Sequence, residues 1–163
     1  MSISTGDRYP DAELLKCTDD GPQAILLSEY LAGRKVVIFA LPGAFTGPCS
    51  TSHLPSFIRT ADQIRARGVD EIICLAVNDP FTLKAWADQL GATQAGITMI
   101  ADYAAEVTLA LDMAFTAPPI GLVNRSNRYA LLLEDGVVTQ AMVDAPSVCD
   151  ISRGEQFLEA MAA

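Results

Sequence analysis

Histidine is almost absent from this chain, and its cysteines are few and scattered. One histidine and four cysteines occur in 163 residues, and no two cysteines form a C-x-x-C pair. Zinc sites and thioredoxin-type dithiols usually show such pairs or clusters, so neither is expected here. The simplest interpretation is a set of reduced thiols in a reducing compartment.

Positive charge is also scarce. The chain carries 11 Lys and Arg residues against 20 Asp and Glu residues, which gives a formal net charge of -9 and a pI near 4.4. Such a surface repels nucleic acid and anionic membranes, so neither is expected as a partner.

Long apolar runs are missing as well. The first ten residues are polar, without the apolar centre of a signal peptide, and no run is long enough to cross a bilayer. We therefore expect a cytoplasmic protein. By length, residues 1–163 are expected to form a single domain, and a 50% share of hydrophobic residues suits a globular core.

Hydrophobic patterning predicts alternating strands and helices. The predicted strands are 36–41, 71–77 and 97–101. The predicted helices are 50–67, 81–90, 104–111 and 150–161. Two hairpins are also expected, a peripheral one near the N-terminus and one that joins 128–133 to 137–143. This order predicts an α/β protein in which helices flank both faces of a central mixed β-sheet, with an N-terminal β-hairpin.

A cysteine follows the central strand at the predicted start of a helix. The strand ends at Pro42-Gly43, and Pro48 is expected to take the first helical position, which puts Cys49 in the first turn. The unpaired N–H groups and the dipole of a helix N-terminus favour a thiolate, which is the nucleophilic form of cysteine. The stretch therefore predicts that Cys49 is reactive.

The same stretch resembles a known family. The pattern Pro42-x-x-x-Thr46-x-x-Cys49, followed by Ser50 and His53-Leu54-Pro55, is similar to that of the peroxiredoxins, in particular the type-II or peroxiredoxin V branch. The likeness continues outside this motif, at residues 69–72, 76–79, 86, 125–130 and 134–138. The resemblance implies a thioredoxin-like fold and a thiol-dependent peroxidase.

The resemblance implies roles for four residues. Cys49 would attack the peroxide and become a sulfenic acid, with the Thr46 hydroxyl bonded to peroxide or thiolate. Pro42 would screen the sulfur from water, and Arg128 would lower the thiolate pKa and bind the peroxide. The implied substrates are hydrogen peroxide and small organic hydroperoxides. The implied partners are glutathione with glutaredoxin, or thioredoxin, as reductant and a second copy in a homodimer; no cofactor is implied.

Arg125 competes with Arg128 for the arginine role. On a strand the two side chains would face opposite sides, and the arginine of the family directly precedes an aromatic residue, here Tyr129. The sequence therefore favours Arg128.

One position departs from the family pattern. The family usually has an ordinary residue before the cysteine, and its backbone N–H is a donor to the peroxide, whereas this chain has Pro48. Because proline has no N–H, we expect a slower peroxidase or a rearranged pocket.

Two further residues leave alternatives open. Some relatives carry a resolving cysteine shortly before the last helix, where this chain has Cys149, and others are reduced directly by an external thiol. His53 shares a helix face with Cys49, which permits a Cys-His hydrolase, although a structural hydrogen bond for this histidine is favoured. A peroxide sensor that passes oxidation to a partner protein is another alternative.

Overall fold

The order of strands and helices follows the predicted α/β pattern. The computed structural model describes residues 3–47, 49–146 and 148–161, with the backbone alone for Cys49 and Ser50. The strands of this part are β1 Glu13–Thr18, β2 Gly21–Leu26, β3 Lys35–Leu41, β4 Glu71–Ala76, β5 Ile97–Ala101, β6 Ala114–Ala117, β7 Leu122–Ser126, β8 Tyr129–Glu134 and β9 Val137–Val143. The α-helices are α1 Leu27–Leu31, α2 Leu54–Arg65, α3 Pro80–Leu90, α4 Glu106–Ala110 and α5 Gly154–Met161.

The central sheet is mixed, as predicted. Within the described residues it has seven strands in the order β2-β1-β5-β4-β3-β8-β9, and β6 and β7 pair separately. Strands β3, β4 and β5 run parallel, whereas β8 pairs antiparallel to β3 and β1 pairs antiparallel to β5. The N-terminal hairpin of β1 and β2 is confirmed, and its pairing with β5 makes it an edge of the sheet.

Strand β3 is buried on both faces, which explains its continuous apolar sequence. Val37, Phe39 and Leu41 belong to a core cluster that also contains side chains of α2, α3 and α5. The alternate residues of β3 belong to a second cluster with side chains of α1 and α4. The prediction that helices flank both faces of the sheet is therefore confirmed.

The helix after β3 begins with a wider turn than predicted. Residues Cys49–His53 form a π-helical segment, and α2 begins at Leu54. Pro55 has no N–H to donate to the carbonyl of Thr51, and its ring would crowd that carbonyl in an α-helix. The change from π to α winding puts Pro55 in the first turn of α2, where a missing N–H costs little. Pro48, the predicted helix start, lies outside the described residues.

The last helix starts later than predicted. It begins at Gly154, and the residues before it form a turn in which the Asp144 carboxylate accepts hydrogen bonds from the backbone N–H groups of Asp150 and Ile151. Gly154 lies so close to α2 that an added Cβ would be 2.4 Å from the carbonyl oxygen of Ser56. A glycine is therefore required where α5 packs against α2.

Candidate active site

The strand register brings the predicted site residues to one edge of the sheet. Antiparallel pairing sets Tyr129, the first residue of β8, opposite Ala40 near the end of β3. Arg128 therefore lies beside the point where β3 ends and Pro42 begins a loop. This edge is also the carboxyl end of the parallel strands, where ligands bind in open α/β sheets.

Neighbouring side chains hold the loop that starts at Pro42. Arg125 donates a hydrogen bond from Nη1 to the Pro42 carbonyl at 2.9 Å, and Asn78 Oδ1 accepts one from the Ala44 N–H at 2.9 Å. Gly43 has a φ of 144°, and an added Cβ would be 2.3 Å from Arg125 Nη1. Arg125, the other candidate for the arginine role, therefore supports the loop by bonding the backbone carbonyl of Pro42.

The Thr46 hydroxyl closes the same loop. It donates its hydrogen to the Gly43 carbonyl at 2.7 Å. A hydroxyl has one hydrogen to donate and two lone pairs that accept, so the Thr46 oxygen can still accept a hydrogen bond from a ligand. In this geometry Thr46 can bind the O–H of a peroxide but does not donate to a thiolate.

Three of the predicted site residues line one cavity of about 580 Å³. Pro42, Thr46 and Arg128 contribute to its wall, and Gly47 adjoins them. The remaining lining residues of the described chain are Phe115, Thr116, Ala117, Ile120, Leu122, Asn127 and Pro146. The cavity therefore joins a polar end to a largely apolar wall.

Arg128 is held in a fixed place at the polar end. Its side chain is buried, with the residue only 7% exposed, and Nη1 donates to the Val148 carbonyl at 3.1 Å. A guanidinium stays charged at any pH that a protein tolerates, so this group supplies a permanent positive charge to the cavity.

The π-helical segment begins at Cys49, two residues after Gly47 in the wall of the cavity. The Cys49 sulfur itself lies outside the described residues. His53, at the end of the segment, is completely buried and packs against the rings of Phe39 and Phe57. Its Nε2 donates to the carbonyl of Ser152 at 3.1 Å, since a carbonyl oxygen only accepts.

The environment of His53 does not favour a hydrolase. Burial is the main cause that lowers the pKa of His53 to about 4, so the ring is neutral at pH 7. A Cys-His hydrolase needs a histidine that takes the proton of the cysteine, and a ring with so low a pKa is a weak base. The contact with Ser152 agrees with the structural hydrogen bond that the sequence favoured.

Cys149 lies next to the π-helical segment. It is half-buried, and the Ser52 side chain forms a hydrogen bond with it. Burial raises the pKa of the Cys149 thiol, and this hydrogen bond and the charge of Arg128 oppose the rise. Because Ser52 is three residues after Cys49, Cys149 lies within about one helical turn of it.

The other two cysteines, Cys74 and Cys17, are packed side chains. Cys74 is buried in β4 and belongs to the main core cluster. Cys17 donates from Sγ to the Pro80 carbonyl at 3.3 Å, and burial raises the pKa of its thiol to about 11. The raised pKa of Cys17 disfavours its thiolate at neutral pH.

Several site residues escaped the sequence analysis. The hairpin of β6 and β7, with a 3-10 turn at Pro118–Ile120 between the strands, supplies the apolar wall of the cavity. The sequence analysis predicted neither strand, because Pro118 and Pro119 interrupt the hydrophobic pattern between them. The two strands have only four and five residues, which is too short for a clear hydrophobic pattern. Phe115 pairs with Arg125 across this hairpin.

Two properties bear on ligands and membranes. In the part of the chain that the structure describes, no three His, Cys, Asp or Glu side chains are grouped as metal ligands would be. Over the same residues, every helix is too short or too polar to span a bilayer.

Comparisons with known proteins agree over nearly the full chain. A sequence model of the Redoxin family matches residues 4–157. The chain is 42% identical to Peroxiredoxin-2E-2, chloroplastic, of Oryza sativa subsp. japonica, over 98% of this chain and 73% of that protein. It is 38% identical to Peroxiredoxin-2C of Arabidopsis thaliana, over 98% of each. The crystal structure of reduced Prx3 in complex with H2O2 from Vibrio vulnificus superposes with a TM-score of 0.91 at 42% identity, over 98% of this chain and 99% of that one.

Proposed function

Because this chain belongs to the type-II peroxiredoxins, which are thiol-dependent peroxidases, we propose that it reduces hydrogen peroxide and small organic hydroperoxides through a sulfenic acid on Cys49. One observation carries the assignment of residues. Pro42, Thr46 and Arg128 line a single cavity at the edge of the sheet where the helix of Cys49 begins. The peroxide complex of the Vibrio vulnificus protein supports the same substrate for this chain.

The proposed first step is a displacement at oxygen. The Cys49 thiolate attacks one peroxide oxygen, the S–O bond forms as the O–O bond breaks, and the departing oxygen takes up a proton to give water or an alcohol. Arg128 stabilises the thiolate before the reaction and the negative charge on the departing oxygen during it. The Thr46 oxygen accepts the peroxide O–H, and Pro42 keeps water from the sulfur.

The apolar wall supports the organic part of the substrate range. Phe115, Ile120 and Leu122 line the cavity, and Ile120 is 70% exposed. The carbon chain of an alkyl hydroperoxide can pack there while its peroxide group reaches Arg128.

Regeneration of the enzyme requires two electrons from thiols. We propose that glutathione with glutaredoxin, or thioredoxin, supplies them, and that no metal or prosthetic group takes part. The proposal is tested by peroxide consumption coupled to NADPH oxidation through each reductase system separately. Turnover with at least one system is expected; fast oxidation without turnover in either would indicate a peroxide sensor, and ester cleavage without peroxide consumption would indicate a hydrolase.

Cys149 is proposed as the resolving cysteine. The hydrogen bond between Cys149 and Ser52, three residues after Cys49, supports this proposal. The Cys149 thiol would condense with the Cys49 sulfenic acid to give a disulfide and water.

We expect peptide mass spectrometry after one equivalent of peroxide to find a Cys49–Cys149 disulfide. In Cys149→Ser, the Cys49 sulfenic acid trapped by dimedone should rise by about tenfold or more, because its intramolecular partner is gone. Cys17→Ser is the matched control and should leave the disulfide unchanged. Equal trapping in the wild-type protein and Cys149→Ser would show that an external thiol resolves Cys49 directly.

Pro48 is proposed to slow the reaction. It lies outside the described residues, but whatever its geometry it has no N–H to donate to a bound peroxide. We expect Pro48→Thr to raise the second-order rate constant with hydrogen peroxide by about tenfold, because a restored backbone donor can stabilise the departing oxygen. Stopped-flow fluorescence measures this constant, and an unchanged or lower value would show that the donor is not limiting.

The remaining proposals concern the assembly of the protein and its location. We propose a homodimer that forms near the cavity, where the apolar side chains of Phe45, Ile120 and Val148 are exposed. We also propose a cytoplasmic location, as Peroxiredoxin-2C carries no organelle in its name, whereas Peroxiredoxin-2E-2 is chloroplastic.

A further inference from the structure

A buried carboxylate folds the loop that follows β9. Asp144 is 5% exposed, and its carboxylate accepts hydrogen bonds from the backbone N–H groups of Asp150 at 3.1 Å, Ile151 at 2.8 Å and Ser152 at 3.4 Å. It also accepts one from the Ser152 hydroxyl. A buried carboxylate is costly unless donors satisfy it, so these four contacts fix the path of the loop.

One end of this loop holds the helix of Cys49. Ser152 is completely buried, and its carbonyl accepts the hydrogen of His53 Nε2 at 3.1 Å. The Ser152 hydroxyl lies 3.3 Å from the same nitrogen. His53 ends the π-helical segment that begins at Cys49, so a shift of Ser152 is passed to that segment.

The other end of the loop holds the active-site arginine. The Asp144 N–H donates to the Arg128 carbonyl at 3.0 Å, and Arg128 Nη1 donates to the Val148 carbonyl at 3.1 Å. The loop therefore fixes both the backbone and the guanidinium of Arg128. Cys149, beside Val148, contacts Ser52 of the π-helical segment.

We propose that Asp144 is a positioning residue for the peroxidase reaction. By folding its loop it holds the segment of Cys49, through Ser152 and His53, and the guanidinium of Arg128, through Val148, in one fixed relation. This inference rests on the proposed roles of Cys49 and Arg128. In this role Asp144 acts only through the loop and contacts neither the peroxide nor the Cys49 sulfur.

The chain offers a matched pair of variants. Asp144→Asn keeps the size of the side chain but turns one oxygen into an NH2 group, which faces N–H and O–H donors and cannot accept from them. Asp150→Asn alters an exposed carboxylate of the same loop whose ion pair is with Arg153. Ser152→Ala, a milder change, removes the contacts of the hydroxyl with Asp144 and with His53 Nε2 and leaves the backbone contacts of Asp144.

The test is the pH profile of the second-order rate constant for oxidation by hydrogen peroxide, measured well below the melting temperature of each variant. We expect Asp144→Asn to lower the plateau about tenfold and to move the profile about one pH unit upward, because a misplaced guanidinium stabilises the thiolate less. Ser152→Ala should change both in the same direction by a smaller factor. Asp150→Asn should match the wild-type protein.

The outcomes separate this inference from the function on which it rests. A wild-type protein that does not consume peroxide overturns the proposed function. An active wild-type protein whose profile is unmoved in Asp144→Asn, or one in which activity falls only in proportion to the folded fraction, overturns the positioning role. If Asp144→Asn does not fold, Ser152→Ala decides, and a wild-type profile in that variant contradicts the proposal.

Discussion

Cys49→Ser is expected to reduce peroxide consumption to the uncatalysed background, a loss of about a thousandfold or more, because a hydroxyl replaces the nucleophile. The comparison must use purified protein, hydrogen peroxide and the better of the two reductase systems. A hydroxyl is nearly the same size as a thiol, so the fold of the variant should be retained, and circular dichroism and the melting temperature check this.

Cys17→Ser provides the matched control for that result. The Cys17 thiol donates to a backbone carbonyl, and its pKa is raised to about 11 by burial, so it is protonated at neutral pH and takes no part in the proposed reaction. This variant should keep the wild-type rate. If Cys49→Ser retained a substantial share of the activity, or if Cys17→Ser lost it, the reactive sulfur would have been assigned wrongly.

Arg128→Gln should lower the second-order rate constant with hydrogen peroxide by about a hundredfold or more, because it removes the positive charge that faces the departing oxygen. The same change should raise the pKa of Cys49 by about 1 to 3 units, since an opposite charge nearby favours the thiolate. Stopped-flow measurements over a range of pH values give both numbers from one set of experiments.

Two other arginine variants make this prediction specific. Arg128→Lys keeps the charge but loses the planar fork of donors, so the pKa of Cys49 should recover more than the rate does. Arg59→Gln removes an exposed arginine that pairs with Glu155 and does not line the cavity, and it should change neither quantity. A wild-type rate in Arg128→Gln would show that another group stabilises the thiolate.

Local features of the sequence predicted much of the fold. Strand β3 could be recognised from one apolar run, and α3 from Asp79 at its start and Gly91 at its end; the structure has these as the N-cap and the left-handed C-cap. A helical turn at Cys49 was also expected from local sequence, although its π-helical winding was not. Each of these features depends only on residues that are neighbours in the chain, so it can be recognised in a single sequence.

Contacts between distant residues could not be predicted in the same way. The approach of Arg128 to Pro42 depends on the register between β3 and β8, which sets Ala40 opposite Tyr129. The sequence indicated both strands but not their pairing. Only the resemblance to the family, and not any physical pattern, distinguished Arg128 from Arg125.

The loop after β9 shows a second limit. Helical spacing predicted a helix from residue 150, but the Asp144 carboxylate takes the backbone N–H groups of Asp150 and Ile151, and the helix starts at Gly154. A carboxylate that accepts hydrogen bonds from backbone N–H groups six or seven positions away leaves no periodic signal in the sequence. The same long-range contacts create the link between this loop and the active site.

The central claim is that Cys49 is a thiolate at neutral pH, held by a helix N-terminus and the charge of Arg128. The most direct test is titration of the thiolate absorbance at 240 nm in the wild-type protein, with Cys49→Ser subtracted so that only this sulfur is counted. We predict a pKa for Cys49 of about 6.5 or lower, against about 8.5 for free cysteine. A Cys49 pKa at the value of free cysteine would contradict the account.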